Sequence, residues 1–133
     1  MNRRILFLAV ALLVVLVAAS GCRKSIPLET YSGGVAVENV TLEKVKNAII
    51  RAGASLGWAI VPVGENQLEG TLHVRAHTAV VTIDYSKTSY SIRHKSSVNL
   101  DYKDGQIHPQ YRNWVLNLQR HIDVELAVAN TQK

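Results

Sequence analysis

The chain has 133 residues, a formal net charge of +5 and a single cysteine. That length holds one domain with a modest core. A lone cysteine excludes an internal disulfide framework, so packing must supply the stability.

The first element in chain order is an apolar run. Met1-Asn2-Arg3-Arg4 makes a short basic start, and the stretch from Ile5 to Ala18 carries no polar residue. This is the pattern of a secretory h-region. The run ends in Ala19-Ser20-Gly21-Cys22. Small residues followed by the one cysteine resemble the lipobox of bacterial lipoproteins. The resemblance implies a signal peptide at 1–21, cleavage between Gly21 and Cys22, and a diacylglyceryl group on the Cys22 sulfur. Two simpler readings explain less. At about 1.5 Å per residue, the run alone falls short of the roughly 30 Å hydrocarbon core. A secretory signal cut near Ala18-Ala19-Ser20 leaves the position of the cysteine unexplained. Ala19 departs from the commonest lipobox, which has leucine there. Arg23 follows the cysteine where aspartate would imply inner-membrane retention, so the resemblance implies the outer membrane, with the chain facing the periplasm.

Deleting 1–21 removes Arg3 and Arg4 and lowers the formal charge from +5 to +3. Such a charge is too weak to suggest nucleic acid. Residues 22–39 read as a lipidated cysteine and a flexible tether, because Arg23 to Leu28 is charged and broken by Pro27, and Ser32-Gly33-Gly34 follows. Leu28 to Tyr31 or Val35 to Val37 can add a short edge strand. The folded domain is expected over 40–133.

Thr41 can cap a first helix in which Leu42, Val45, Ile49, Ala52 and Leu56 make an apolar stripe, with Gly57 as its stop. Trp58 to Val63 reads as a strand kept to an edge by Pro62, and Gly64-Glu65-Asn66 as a turn. The next strand alternates. Leu68, Gly70, Leu72 and Val74 point one way; Glu69, Thr71, His73 and Arg75 point the other. Ala76-His77-Thr78 is the expected reversal, followed by strands at Ala79 to Tyr85 and Ser89 to Ser96. Val98 to Tyr102 is irregular and leads into an Asp104-Gly105 turn. Pro109 opens a last helix with a stripe of Tyr111, Trp114, Val115, Leu118, Ile122 and Leu126. The expected fold class is α+β. A four-stranded antiparallel meander lies between two helices in sequence (α-β-β-β-β-α), and both helices pack on one face as a two-layer sandwich.

Within this body, Leu68-Glu69-Gly70-Thr71-Leu72, Tyr90-Ser91-Ile92-Arg93, Asn99-Leu100-Asp101-Tyr102 and Ile107-His108 with Tyr111 and Trp114 carry a second resemblance. They are similar to a group of small, uncharacterised lipoproteins of Gram-negative bacteria. The resemblance implies an envelope address and carries no catalytic residue.

Chemistry read directly from the residues is sparse. His73 and His77 lie four apart, which on a strand means about 13 Å, too far to share an ion. A bend at Ala76, with His94 and His108 arriving from elsewhere, would be needed to build a metal site. His94 reads as a core-edge histidine, and His121 as a helix-surface residue that can pair with Glu125. No serine lies in a Gly-x-Ser-x-Gly turn, and Asp101 and Asp104 read as turn residues beside Gly105. The expectation is therefore a protein without catalytic, cofactor-binding or metal-binding residues. If Leu72, Val74 and Ile92 face the core, His73 and Arg75 share the other face with Arg93 and Lys95. That row is a candidate binding surface for an anionic glycan, lipid headgroups or an acidic protein. Its plainer reading is a solvated face partly neutralised by Glu69 and Asp84. The expected function is a non-catalytic binding or structural accessory of the envelope, with an envelope protein or cell-wall glycan as partner. An inhibitor or immunity lipoprotein against a periplasmic hydrolase is the alternative, although a weakly basic domain offers no obvious acidic surface for a basic, lysozyme-like enzyme.

Overall fold

The computed structural model of the chain describes residues 24–35 and 40–132. Cys22, Gly21 and the apolar run ahead of them lie outside the described residues, as do 36–39 of the expected tether.

Helix α1 spans Leu42–Ser55, and its two ends are set by the sequence. The Thr41 hydroxyl accepts from the Lys44 amide at 3.2 Å, satisfying a donor that the first turn leaves unpaired. At the other end Gly57 takes a φ of +84°. This lets the Gly57 amide reach the Ala54 carbonyl and the Trp58 amide reach the Gly53 carbonyl. Such paired bonds are the helix-ending arrangement that glycine permits. Helix α2 spans Pro109–Thr131, with proline at its first turn. Its cap is His108, to which the sequence reading assigns no capping role: His108 Nδ1 accepts from the Gln110 amide at 3.1 Å.

Four strands follow α1 as a meander: β3 (Ala59–Gly64), β4 (Gln67–Val74), β5 (His77–Tyr85) and β6 (Ser89–Val98), each antiparallel to the next. The expected class, α+β, is the observed one. The strand count is not four. A short strand β2, Tyr31–Gly34, pairs antiparallel with the free side of β6 and gives the sheet order β2-β6-β5-β4-β3. A separate ribbon joins β1 (Ile26–Pro27) to β7 (Gln106–Ile107). Both β1 and β2 fall in the stretch expected as a flexible tether, which is therefore paired from Ile26. The β4–β5 reversal is also tighter than expected. Val74 pairs with His77, so Arg75 and Ala76 make a two-residue turn and His77 belongs to the strand.

One sheet face carries Leu68, Leu72, Val81, Ile83 and Ile92, all buried, and the two helices cover it side by side. Burying a side chain such as Ile83, Ile92 or Leu118 contributes about 1.5–3 kcal/mol. The helices run antiparallel, tied by Arg51 to Glu125 at 2.8 Å and by Lys44 Nζ to the Gln132 carbonyl at 3.1 Å. Ser55 approaches His121 Nδ1 at 3.3 Å. His121 and Glu125 thus each face α1, rather than pairing with one another. Gly53 explains how α1 lies so close to β3: a Cβ there would sit 2.1 Å from the Ile60 side chain.

Candidate functional site

The solvent face of the sheet holds three of the four candidate binding residues. Alternation on β4 turns His73 outward with Glu69, as read from the sequence. His73 Nδ1 lies 2.9 Å from the Thr78 hydroxyl. Arg93, on β6, donates to Asp84 at 2.8–2.9 Å. Lys95 donates to Glu69 across the sheet. A shift of register between Val80 and Val81 leaves Lys95 unpaired in the β5–β6 ladder, which swings it over that partner. The row of cations is thus matched by carboxylates. Gln67 donates to Asp84 as well, at 2.8 Å. The amide and then Arg93 hold the Asp84 carboxyl below its ordinary range. Each exposed pair contributes about 0–1 kcal/mol. This geometry favours the solvated-face reading for Arg93 and Lys95.

Arg75 does not join them. It stands in the β4–β5 turn with a φ of +55°. That left-handed conformation suits glycine or asparagine and is unusual for arginine.

Histidines gather at the same end of the sheet, on the inner side. His77 Nδ1 contacts the Asn99 carbonyl at 2.7 Å, and its ring lies 6.4 Å from His108 and 6.2 Å from Trp114. The hairpin puts His73 and His77 on opposite faces, which rules out a shared ion. His94 packs 4.4 Å from the Tyr102 ring and 5.5 Å from the Tyr111 ring, and Nε2 lies 3.0 Å from Ser97 Oγ. Burial lowers its pKa. Among the described residues, no group of three or more His, Cys, Asp or Glu side chains converges as metal ligands.

These rings are roofed by the loop Asn99–Gly105. Asn99, Asp101, Asp104 and Gly105 all have positive φ, and Asn and Asp are the non-glycine residues that tolerate it best. Leu100 pins the loop by burying its side chain. Lys103 and Gln106 exchange backbone hydrogen bonds around Asp104-Gly105, the turn the sequence announces. The Leu28 amide then donates to the Gly105 carbonyl at 2.8 Å, fastening the β1 segment to this loop.

At the opposite end of the sheet lies an open groove of about 380 Å³. Four serines line it, Ser32, Ser86, Ser89 and Ser91, together with Asp84, Tyr85 and Tyr90. Sequence reading missed it because these residues come from three separate strands and a turn. Its one sequence signal is the density of serine from Ser86 to Ser91. Hydroxyls beside an aromatic ring and a carboxylate offer hydrogen bonds and a stacking surface to a polar ligand.

No family model matches the chain, and a comparison with curated proteins finds no match to it. Among the described residues, no helix is long and apolar enough to cross a membrane.

Proposed function

We propose that the chain is an outer-membrane lipoprotein of a Gram-negative envelope, anchored through Cys22, whose domain works in the periplasm by binding and without turnover. The observation that carries this reading is the sole cysteine standing directly after Ala19-Ser20-Gly21 at the end of an apolar run. Arg23 in place of aspartate supports the outer membrane. The serine-lined groove supports a hydroxylated or amide-bearing partner, such as a cell-wall glycan or an envelope protein. It lies at the end of the sheet away from Ile26, where an anchored domain offers it to the periplasm.

Acyl labelling in a Gram-negative host tests the anchor. The native chain should take up label and sediment with outer membranes, whereas Cys22→Ser should lose both. Unaltered labelling of Cys22→Ser would end the lipoprotein reading. A photo-crosslinking residue at Ser89, in the lining of the groove, tests the binding role in the same cells. Adducts with wall glycan or an envelope protein are expected, and capture of a secreted wall hydrolase would make the protein an inhibitor.

A further inference from the structure

We propose that the anchored domain stands with one end of its sheet on the lipid headgroups. That end comprises the Arg75–Ala76 turn, the Asn99–Gly105 loop and the β1–β7 ribbon, with the Tyr102 ring as the interfacial contact. This rests on the lipoprotein reading above.

The first argument is reach. The chain is paired from Ile26, whose partner is Ile107. Only four peptide steps separate Cys22 from Ile26, and they span at most about 14 Å when fully extended. The ribbon is not a loose strap. Ile107 is fully buried, Ile26 packs against the core, and Leu28 is hydrogen-bonded to Gly105. An acyl group on Cys22 therefore holds the domain by this end. The opposite end is out of range. β5 runs the length of the sheet from His77 to Tyr85, and at about 3.3 Å per residue that is roughly 26 Å. The Ser86–Thr88 turn and the serine-lined groove lie beyond it.

The second argument is chemistry. Tyr102 is 52% exposed, yet its ring is seated against His94, so it is presented rather than free. Val98, at the end of β6, is 60% exposed. An exposed tyrosine ring suits the boundary between headgroups and acyl chains. Lys24, Arg75 and Lys103 are exposed at the same end, and so are Asp101 and Asp104. Charge alone therefore does not select anionic lipid; the ring and the short leash carry the inference. The strained Arg75 turn also lies on this end, where a long side chain can lay its stem against the interface.

The test uses the mature protein acylated at Cys22 in vesicles of phosphatidylethanolamine and phosphatidylglycerol carrying a headgroup nitroxide. With Cys22 acylated, Lys103→Cys and Lys87→Cys each supply one thiol for a fluorophore, at the near and far ends of the sheet. Most of the emission should be lost at 103 and little at 87. Quenching that is equal at the two sites, or stronger at 87, overturns the orientation. If quenching is absent at 103 but that label is shielded from an aqueous quencher in native membranes, the surface belongs to a protein partner and the proposal fails. A protein that does not float with the vesicles marks failure of the lipoprotein reading itself.

Discussion

The Tyr90 hydroxyl donates to the Asp123 carboxylate at 2.6 Å, with the Gln119 carbonyl also in reach at 3.3 Å, and so joins β6 to α2. Its ring lies under Gly33, where a Cβ would sit 2.4 Å from the ring. One side chain thus fixes the sheet, the helix and the added edge strand β2. Burial, and then the hydrogen bond to Asp123 and its charge, push the phenol far above its ordinary range. Tyr90→Phe should destabilise the domain by about 1–2 kcal/mol, since exposed Asp123 regains water. Gly33→Ala should cost about 1–3 kcal/mol by overpacking, and much less in a Tyr90→Leu background. A denaturant double-mutant cycle reads this coupling, and strictly additive costs would refute the contact.

Tyr111 presents the opposite case. Its hydroxyl is buried with no hydrogen-bond partner among the described residues, and burial raises its pKa. Leaving a buried polar group unpaired costs about 1–3 kcal/mol. Tyr111→Phe should accordingly be neutral or stabilising by about 1 kcal/mol in equilibrium unfolding. A clear loss would mean that water or another partner reaches the hydroxyl.

The two tryptophans should differ. Trp58 is buried beneath Gly70 and Gly53, whereas Trp114 is half-buried against His77 and Leu72. Trp58→Ala should cost roughly 3–5 kcal/mol. Trp114→Ala should cost less, about 1–3 kcal/mol, because less apolar area leaves water. Thermal or chemical unfolding of the two variants checks the order.

That contrast also shows what the sequence makes legible. The stripe through Tyr111, Val115, Leu118 and Ile122 and the alternation through Leu68 and Leu72 are periodic, so they announce elements and their buried faces. Periodicity alone does not show that α2 turns Trp114 toward a rim rather than the centre. The added edge strand was expected at Leu28 to Tyr31 or Val35 to Val37, and β2 lies between the two. Tyr31-Ser32-Gly33-Gly34 has no apolar alternation and sits as a strand where Gly33 admits the ring of Tyr90, distant in sequence, which no local propensity encodes. β1 is two residues long and depends wholly on Ile107. The candidate surface was legible residue by residue, since His73, Arg93 and Lys95 do face outward. Their neutralisation depended on the β5–β6 register, which brings Lys95 to Glu69.

His94 makes stability depend on pH with a sign that can be worked out. Burial against Tyr102, Tyr111 and Ser97 lowers its folded-state pKa below the ordinary 6.5. The unfolded chain therefore binds more protons at this site as the pH drops through 6.5. Stability contributed by neutral His94 is complete above that value and is lost as pH falls toward the folded pKa. His94→Gln should flatten the decline of unfolding free energy on acidification from neutral pH, compared with the native chain. An unchanged slope would show that His94 titrates alike in both states.

Arg75 offers a test of stored strain. Its φ of +55° places a non-glycine residue in the left-handed region, which costs roughly 1–2 kcal/mol. Glycine relieves that cost but loses about 0.5–1 kcal/mol more in chain entropy on folding. Arg75→Gly should therefore stabilise the domain by up to about 1 kcal/mol, seen as a higher denaturation midpoint at unchanged slope. The side chain is exposed, so no core contact is lost with it. A more stable Arg75→Gly variant would show that the turn holds strain that folding does not require, at the end of the sheet proposed to meet the membrane. A destabilised Arg75→Gly variant would instead show that arginine supports the turn itself.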